Sequence, residues 1–319
     1  MPFANSSSPT VFIDGSAGTT GLRIADRLSA RGDLKLLTLP EELRKDTKAR
    51  REALNRADIV FLCLPDAAAT EAVGMLENPG TVVIDTSTAH RTAEGWTYGF
   101  PEFPGQRERI RASRRIANPG CHASGFLSLV APLVSGGLLP ADSLLTCFSL
   151  TGYSGGGKKM ISDYEAPDTA ASLLAPRAYG LSQTHKHLPE MTRYAGLFHS
   201  PVFTPIVSSY YAGMEVTVPL FTSQLRGTAD DVRALYRETY GTGLIRYCEN
   251  CDENGFLSAA ALAGRDDMQI SVFGNGDRIT LVSRFDNLGK GASGAAIQNM
   301  NLVLGLEETT GLNLGGTNT

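Results

Sequence analysis

Apolar and polar positions along residues 10–120 form blocks of strand-like and helix-like spacing. Short apolar runs predict strands at Thr10–Asp14, Leu34–Leu39, Ala57–Leu64, Thr81–Asp85 and Arg115–Ala117. Helical spacing predicts helices at Thr19–Arg31 and Asp66–Leu76. The third run is apolar at nearly every position, which is typical of a parallel strand covered by helices on both faces. This order predicts a doubly wound parallel sheet of the α/β class.

The pattern changes after about residue 143, where the strand-like runs become longer. Strands are predicted at Leu144–Leu150, Pro201–Val207, Met214–Phe221, Met268–Val272 and Arg278–Arg284. Few helices separate them, chiefly Ala229–Tyr240, which indicates an α+β domain with a mostly antiparallel sheet. The last helix, Ala292–Leu304, is expected to return to the first domain. The predicted domains are therefore residues 1–120, completed by 288–319, and residues 121–287.

Composition and charge support this organisation and exclude several classes of protein. The chain has 319 residues, 42% of them hydrophobic and 19% charged, which suits two globular domains. A net charge of −4 gives no sign of a nucleic-acid partner. The first ten residues are polar, and no apolar stretch reaches the ~18–20 residues that span a bilayer. Five scattered cysteines do not suggest a disulfide framework, so a cytoplasmic protein with free thiols is expected.

A glycine-rich segment, DGSAGTTG, follows the first strand and opens the first helix. Its glycines are three residues apart, a variant of the GxGxxG dinucleotide fingerprint. In that position the segment predicts a Rossmann-like domain whose turn and helix start bind a pyrophosphate. A plain glycine-rich turn is the alternative. The candidate cofactor-binding residues are Gly15, Ser16, Ala17, Gly18, Thr19, Thr20 and Gly21.

The residues after the second predicted strand bear on which dinucleotide binds. Arg44 and Lys45 lie just beyond its end and favour a 2′-phosphate, hence NADP(H). Glu41 or Glu42 would instead suit the free ribose hydroxyl of NAD. The two cations are equally typical of a solvated helix face.

Cys121 stands out among the five cysteines because of its position. It follows Asn118-Pro119-Gly120, and the apolar spacing from Ala123 onward predicts a helix that begins at the cysteine. The amides and dipole of a helix N-terminus stabilise a thiolate, and the same amides stabilise an oxyanion on a bound substrate. Cys121 is therefore the predicted nucleophile, although a lone cysteine is more often a small buried apolar residue.

Two histidines supply candidate proton-transfer groups for that nucleophile. His185 and His187 lie in the polar segment QTHKHLPE. Residues two apart in an extended segment point to the same side, so both rings are expected to face one cleft. Either one is a candidate acid or base, and a purely structural histidine remains the alternative.

Further candidates lie in glycine-rich or polar loops. Ser154, Gly155 and Lys158, in GYSGGGKK, suit an anionic substrate group. The loop DNLGKGASG opens the last helix and adds the cofactor-binding candidates Asn287, Gly289, Lys290 and Gly291. Ser87, near the end of the fourth strand, is a further cofactor-binding candidate, while Arg91 and Asn118 are substrate-binding candidates. No residues with metal-ligand spacing are found.

These segments resemble one enzyme family in order along nearly the whole chain. FIDGSAGTTGLRI, DTSTAHR, YGFPEF, NPGCHAS, GYSGGGKK, HKHLPEM and DNLGKGASGAAIQNMNL are similar to the short form of the N-acetyl-γ-glutamyl-phosphate reductases. Aspartate-semialdehyde dehydrogenases share this organisation but look different in the histidine segment. The chain departs from the family at Gly289, where related sequences often carry a bulkier residue, and this bears on local cofactor packing.

The resemblance implies an NADP-binding domain, a substrate and oligomerisation domain, and Cys121 as nucleophile in arginine biosynthesis. The implied reaction forms a thioester on Cys121 with loss of phosphate, followed by reduction to N-acetylglutamate 5-semialdehyde. His187 or His185 would handle the protons, and the partner chain would be a second copy in a dimer or tetramer. Two alternatives remain: a reductase of another acyl phosphate such as aspartyl phosphate, and a non-catalytic NADP-binding regulator.

Overall fold

The computed structural model describes residues 8–315, which form two compact units. One unit contains the described residues up to Pro119 together with Ala292–Leu312. The other contains Gly120–Gly291 and the described residues from Asn313 onward. In the described part of the chain, no helix is long and apolar enough to cross a membrane.

The first unit contains a six-stranded parallel sheet. Its strands are β1 (Thr10–Asp14), β2 (Lys35–Leu37), β3 (Ile59–Leu62), β4 (Val82–Asp85), β5 (Thr97–Tyr98) and β6 (Arg115–Ala117). Their order is β2-β1-β3-β4-β6-β5, and every pairing is parallel. The chain therefore leaves β1 first to one side and then to the other, which confirms the doubly wound sheet predicted from sequence.

Four helices follow the early strands of this unit. They are α1 (Thr19–Ser29), α2 (Thr47–Arg56), α3 (Asp66–Gly74) and α4 (Gln106–Ala112). The start of α2 is fixed by Asp46, whose carboxylate accepts the backbone N–H of Ala49 at 2.7 Å. Gly18 caps α1 without a side chain, so the first amides of α1 have no side-chain cap.

The second unit contains a seven-stranded mixed sheet. Its strands are β7 (Thr146–Gly152), β8 (Arg177–Ala178), β9 (Val202–Ser208), β10 (Met214–Phe221), β11 (Ile245–Tyr247), β12 (Met268–Gly274) and β13 (Arg278–Phe285). The order is β11-β12-β13-β10-β7-β9-β8. Only the β11–β12 and β7–β9 pairings are parallel, so the sheet is mostly antiparallel, as the sequence predicted.

Helix α5 (Cys121–Ser135) lies buried against this sheet, and α6 (Gly157–Glu165), α7 (Leu188–Ala195) and α8 (Ala229–Thr239) complete the unit. Pro132 inside α5 has no N–H to donate to the carbonyl of Ser128. The hydroxyl of Tyr240 donates to that carbonyl at 2.7 Å. The Ser128 carbonyl therefore keeps a hydrogen-bond donor although α5 is apolar and buried on nearly every side.

The chain returns to the first unit through α9 (Gly294–Leu304), which is buried along most of its length. One core cluster joins α9 to α1 and to one face of the parallel sheet through Ile24, Leu28, Ile297 and Met300. A second cluster covers the other face with Ala53, Leu54, Ala69 and Ala72 from α2 and α3. Helices on both faces explain why β3 is apolar at every position.

Candidate active site

The glycine-rich turn after β1 is tightly packed against the residue that follows β3. Gly15 has φ +89°, and a Cβ atom there would lie 2.3 Å from the carbonyl oxygen of Cys63. A Cβ at Gly21 would lie 2.5 Å from the carbonyl oxygen of Gly15. These two glycines allow the turn and the first residues of α1 to approach the switch point of the sheet.

Gly18, the middle glycine of the turn, is not required by packing within the protein. A Cβ at Gly18 would have only ordinary contacts, the nearest at 3.6 Å. Beside it, the Thr19 hydroxyl is buried without a hydrogen-bond partner in the described residues. Thr19, Thr20 and Gly21 also begin α1, where backbone amides have no acceptor within the helix. An open glycine, an unpaired hydroxyl and free amides together fit the pyrophosphate of a dinucleotide.

A cavity of about 610 Å³ extends from this turn towards the segment after β2. The predicted residues that line it are Gly15, Ser16, Ala17, Glu41, Glu42, Arg44 and Lys45. Arg44 and Lys45, which favour NADP, therefore line the same cavity as Glu41 and Glu42, which would suit NAD. Arg44 and Lys45 are both exposed, so their charges are accessible to a ligand.

Sequence reasoning missed a buried ion pair in the wall of this cavity. Arg50 on α2 reaches Asp14 at the end of β1, with Nη2 3.0 Å from Oδ2. Its Nε also lies 3.2 and 3.3 Å from the two carboxylate oxygens. This forked pair fixes α2 against β1, and so positions the segment between β2 and α2 that carries Arg44 and Lys45.

The other candidates of the first unit follow β4 and β6. Ser87 donates its hydroxyl to the buried carboxylate of Asp85 at 2.7 Å, and Asp85 also contacts His90 Nδ1 at 2.6 Å. Arg91 donates to the backbone carbonyls of Thr86 and Asn118 at 3.0 and 3.1 Å. These hydrogen bonds stabilise the loop after β4, and those of Arg91 use its Nε and Nη2 donors.

The Asn118 side chain is buried, and both its amide nitrogen and its amide oxygen form hydrogen bonds. Its amide nitrogen donates to the Ala292 carbonyl at 3.0 Å, and its oxygen accepts from Asn299 at 3.1 Å. This amide therefore holds the end of β6 to the start of the α9 segment, immediately before the chain passes to Cys121.

Cys121 is the first residue of α5, as the sequence predicted; it forms no disulfide and is partly buried. Gly120 caps the helix in an extended conformation, and the first turn of α5 contains no acidic residue. The positive end of the helix dipole therefore acts on the sulfur without a neutralising carboxylate in that turn. By contrast, burial raises the pKa of Cys63 to about 12 and also raises the pKa of Cys147.

Glu190 connects the turn before Cys121 to one of the candidate histidines. Its Oε2 accepts the backbone N–H of Gly120 at 3.2 Å. Its Oε1 lies 3.9 Å from His187 Nε2, and both side chains are buried. The sequence contained this signal, because residues three apart on a helix lie on the same face, but the segment was expected to be extended.

That expectation of an extended segment is wrong, although the two rings do come together. Residues 185–187 form a turn, with the Leu188 N–H donating to the His185 carbonyl at 3.0 Å, and α7 begins at Leu188. His185 Nδ1 accepts the backbone N–H of His187 at 3.3 Å, and the ring centroids are 4.9 Å apart. A turn that leads into a helix, with Pro189 in its first turn, replaces the strand.

His122 joins this cluster, although neighbouring side chains on a helix diverge. Its ring centroid lies 5.6 Å from that of His185 and 5.3 Å from that of His187. Burial, together with the charges of His185 and Lys186, lowers the pKa of His122 to about 3. His122 is therefore a neutral imidazole. In residues 8–315, no group of three or more His, Cys, Asp or Glu side chains is arranged to hold a metal ion.

The loop after β13 lies directly against Cys121. A Cβ at Gly291 would be 2.9 Å from Cys121 Cβ and 3.2 Å from the Asp286 carbonyl oxygen. A Cβ at Gly289 would be 1.9 Å from the Arg265 carbonyl oxygen, so this backbone leaves no room for a side chain at residue 289. Lys290 between them is buried within the protein. The conformation of this loop therefore places glycine beside Cys121.

The remaining candidates form a second group in the same unit. Asn287 is buried, donates to the Ser154 hydroxyl at 3.0 Å and accepts the backbone N–H of Gly213 at 2.9 Å. Ser154 is also buried, whereas Gly155 and Lys158 are exposed. Asn287 thus supports the glycine-rich loop that contains Ser154. In that loop, Gly155 and Lys158 are the candidates that are accessible to a ligand.

The chain matches two family descriptions over most of its length. Residues 10–113 match the description "Semialdehyde dehydrogenase, NAD binding domain". Residues 121–287 match "Semialdehyde dehydrogenase, dimerisation domain". The two matched regions fall in the two compact units described above.

Several curated proteins are similar to nearly the whole chain. N-acetyl-gamma-glutamyl-phosphate reductase 2 of Pseudomonas putida is 46% identical, with 95% of this chain and 99% of that protein covered. The N-acetyl-gamma-glutamyl-phosphate reductase of Burkholderia cenocepacia is 44% identical, with 94% and 98% covered. N-acetyl-gamma-glutamyl-phosphate reductase 2 of Nostoc is 42% identical, with 95% and 99% covered.

Solved structures share the fold at low sequence identity. Aspartate semialdehyde dehydrogenase II of Vibrio cholerae has a TM-score of 0.71 at 18% identity, covering 93% of this chain and 98% of that chain. The aspartate semialdehyde dehydrogenase of Candida albicans, solved with NADP, has a TM-score of 0.64 at 15% identity, covering 93% and 98%. This similarity shows a common fold.

Proposed function

Since the chain belongs to the semialdehyde dehydrogenase family, and within it to the N-acetyl-gamma-glutamyl-phosphate reductases, we propose that it makes N-acetylglutamate 5-semialdehyde. The substrate is N-acetyl-γ-glutamyl phosphate, the reductant is NADPH, and inorganic phosphate is released. The observation that carries this proposal is Cys121 at the start of α5, beside a turn that Glu190 links to His187.

The proposed reaction begins with the Cys121 thiolate. The sulfur attacks the acyl carbon, the new C–S bond forms, and the bond from carbon to the phosphate oxygen breaks with its electron pair on phosphate. The amides in the first turn of α5 stabilise the thiolate and the negative oxygen that develops on the acyl carbon. The product of this step is a thioester on Cys121.

His187 is the proposed base that takes the thiol proton of Cys121. Glu190 holds one side of the His187 ring and also the backbone N–H of Gly120, so a single carboxylate orients both partners. His185 is the competing candidate, because its ring is 4.9 Å from that of His187 and is less buried. A loss of turnover in His187→Gln that exceeds the loss in His185→Gln by tenfold or more would support His187.

The first unit is proposed to hold NADP(H) in the cavity of the glycine-rich turn. Gly18 and the amides of residues 19–21 would hold the pyrophosphate, and Arg44 and Lys45 would hold the 2′-phosphate. When bound, the reduced nicotinamide would supply a hydride to the acyl carbon of the thioester; the C–S bond then breaks with its electron pair on the Cys121 sulfur, and the aldehyde is released. Ser87, Asn287, Gly289, Lys290 and Gly291 are the further residues proposed to contact the dinucleotide.

The substrate is proposed to be held by exposed groups of the second unit, with Arg91 and Asn118 of the first unit as further candidates. Lys158 and the open backbone at Gly155 are suited to an anionic group of the substrate. Ser154 fixes their loop, while Arg91 and Asn118 fix the loops after β4 and β6. Arg91 still carries the positive charge that would attract a carboxylate.

A homodimer is the proposed assembly, and the outward face of the second sheet is its proposed interface. Phe148 is 42% exposed although it lies in a central strand, whereas Ser149 beside it is buried. The strand pairings put Val202 and Phe221 on the same face as Phe148, with exposures of 57% and 61%. Large exposed apolar side chains on one sheet face are typical of an interaction surface.

The test of the function follows NADPH formation from N-acetylglutamate 5-semialdehyde, NADP and inorganic phosphate, the reverse of the biosynthetic direction. We expect turnover that depends strictly on phosphate and does not occur with aspartate semialdehyde. Cys121→Ala is expected to abolish turnover and to keep dinucleotide binding. Cys248→Ser is the matched control, because burial raises the pKa of Cys248 to about 11 and keeps it a thiol.

Either of two outcomes contradicts the proposal: an active Cys121→Ala enzyme, or turnover without phosphate. A folded protein that binds NADP but turns over neither semialdehyde would indicate a non-catalytic binding role. The proposed location is the cytoplasm, where the reducing environment keeps a catalytic thiol such as Cys121 in its reduced form.

A further inference from the structure

Arg50, in the wall of the cavity beside the glycine-rich turn, uses only part of its guanidinium within the protein. Its Nε and Nη2 donate to the Asp14 carboxylate at distances of 3.0 to 3.3 Å. Its third nitrogen, Nη1, donates to no acceptor in residues 8–315. The carboxylate of Glu71 lies 3.9 Å from Nη1, which is beyond hydrogen-bond distance. Nη1 therefore has donors to offer to a ligand.

Asp14 holds the guanidinium of Arg50 in one orientation. Asp14 is the last residue of β1 and Arg50 lies on α2, and both side chains are buried. A forked pair of this kind fixes the plane of the guanidinium as well as its position. Arg44 and Lys45 are exposed and must lose side-chain freedom when a ligand binds. Arg50 is the cation of the cavity that is already ordered.

The charges around the cavity show why the contribution of Arg50 matters for a phosphate. Three acidic and three basic side chains line the cavity: Asp14, Glu41, Glu42, Arg44, Lys45 and Arg50. Their formal charges cancel, so the cavity as a whole does not attract an anion strongly. Asp14 also neutralises Arg50 at long range. A phosphate is therefore favoured only where it reaches a donor directly, and Nη1 is such a donor.

We propose that Arg50 is a specificity-determining residue that donates through Nη1 to the 2′-phosphate of NADP(H), with Asp14 as its positioning residue. This role rests on the proposed binding of NADP(H) in this cavity. The 2′-phosphate is preferred to the pyrophosphate because α2 directly follows the segment of Arg44 and Lys45. The free 2′-hydroxyl of NAD(H) carries no charge, so it gains less from the same donor.

The test compares NADPH with NADH, which differ only in the 2′-phosphate. Fluorescence titration without substrate gives the dissociation constant of each for the native protein and its variants. Arg50→Gln should weaken NADPH binding roughly ten- to hundredfold and NADH binding about threefold or less. Arg51→Gln is the matched control, because Arg51 is the next residue of α2, pairs with Glu77 at 3.1 Å and lies outside the cavity lining. It should leave both constants unchanged.

Asp14→Asn separates a direct contact with the ligand from a structural role of the ion pair. Both Asp14→Asn and Arg50→Gln break the same pair, so a purely structural role predicts that both weaken NADPH binding. If Nη1 contacts the 2′-phosphate, the two variants should act in opposite directions. The amide oxygen of Asn still accepts from Arg50, and the negative charge next to the phosphate is gone. NADPH binding to Asp14→Asn should therefore tighten about threefold.

Arg50→Gln leaves the buried carboxylate of Asp14 without its partner, which opposes folding. If that variant does not fold, the double variant Asp14→Asn/Arg50→Gln decides, because it contains no unpaired buried charge. It should lose the preference for NADPH to the same extent. A native preference for NADPH in either variant overturns the proposal, and so does weaker NADPH binding in Asp14→Asn.

The native protein distinguishes failure of this proposal from failure of the proposed cofactor. A native protein that binds NADPH and NADH equally well contradicts the role of Arg50 and leaves dinucleotide binding in place. A native protein that binds neither contradicts the proposed cofactor, and the role of Arg50 with it. Turnover is not required for any of these measurements, so the identity of the acyl phosphate does not affect them.

Discussion

Gly291 determines how much room there is beside Cys121. A methyl group there would lie 2.9 Å from Cys121 Cβ, closer than carbon atoms approach without movement. We expect Gly291→Ala to reduce kcat at least tenfold and to lower the free energy of unfolding by about 1–3 kcal/mol. Turnover and chemical denaturation measure the two effects.

The matched control for that variant is Gly74→Ala on α3. No atom lies within 4 Å of a Cβ at Gly74, so the added methyl should leave activity unchanged and should slightly favour the helix. Native activity in Gly291→Ala would show that the loop after β13 does not constrain Cys121.

His122 predicts a particular dependence of stability on pH. Its pKa is about 3 in the folded protein and near 6.5 in the unfolded chain. Between those values the unfolded state binds the additional proton, so stability is lost as the pH falls. Lowering the pH from about 7 to about 5 should cost roughly 2 kcal/mol through this residue.

His122→Gln removes that titration, so its loss of stability over the same pH range should be smaller by about this amount. Denaturant unfolding at both pH values measures the difference. His199→Gln, at an exposed position, is the control and should behave as the native protein does. Equal pH dependence in all three proteins would mean that His122 is charged or solvated in the folded state.

The turn before α1 contains glycines that the fold requires and one, Gly18, that we propose the dinucleotide requires. A methyl at Gly21 would lie 2.5 Å from the Gly15 carbonyl oxygen, whereas the nearest atom to one at Gly18 is 3.6 Å away. Gly21→Ala should therefore destabilise the protein by several kcal/mol, and Gly18→Ala by about 1 kcal/mol or less.

The two variants should show the opposite order in dinucleotide affinity among molecules that remain folded. Gly18→Ala should weaken NADPH binding about tenfold or more, because its methyl occupies the space of the pyrophosphate. Fluorescence titration with NADPH measures the dissociation constant. Native affinity in Gly18→Ala would contradict the placement of the pyrophosphate at this turn.

At the level of elements, the sequence predicted the strands and helices whose local pattern of apolar residues and glycines is clear. Strand β1 and strand β10 have the predicted bounds, and α1 starts at the predicted residue, because apolar runs and a glycine-rich turn define them. Helix α2 was not predicted, since its residues TKARREALNR carry a weak apolar stripe and form a helix by packing Ala53 and Leu54 on the sheet. Helix α7 was not predicted either, because its start lies in a polar segment.

At the level of the whole molecule, the sequence predicted Cys121 from local spacing but missed the groups that surround it. Glu190 contacts Gly120 from 70 residues away in the chain and Tyr179 contacts His122 from 57 residues away, and no periodicity in the sequence indicates either contact. The two-residue spacing of His185 and His187 was explained by an extended strand, whereas a turn before α7 brings the rings together. Sequence-distant contacts of this kind follow from the mixed order of the second sheet.

The proposed homodimer gives a prediction at the same scale. The outward face of the second sheet carries Phe148, and the loop after α7 carries Phe198, which is 74% exposed. Phe148→Glu places a charge in the proposed interface and should convert the dimer to single chains, since an unpaired buried charge opposes association. Phe198→Glu makes the same chemical change outside that face and should remain dimeric.

Light scattering coupled to size-exclusion chromatography measures the mass of each variant in solution. The dinucleotide cavity is lined entirely by residues of the first unit, so both variants should bind NADPH with native affinity. Retained NADPH binding shows that the first unit of Phe148→Glu is folded. Circular dichroism tests whether the second unit of the variant is folded. If the native protein has the mass of one chain, or if Phe148→Glu stays dimeric, the interface lies elsewhere and the exposed apolar face requires another explanation.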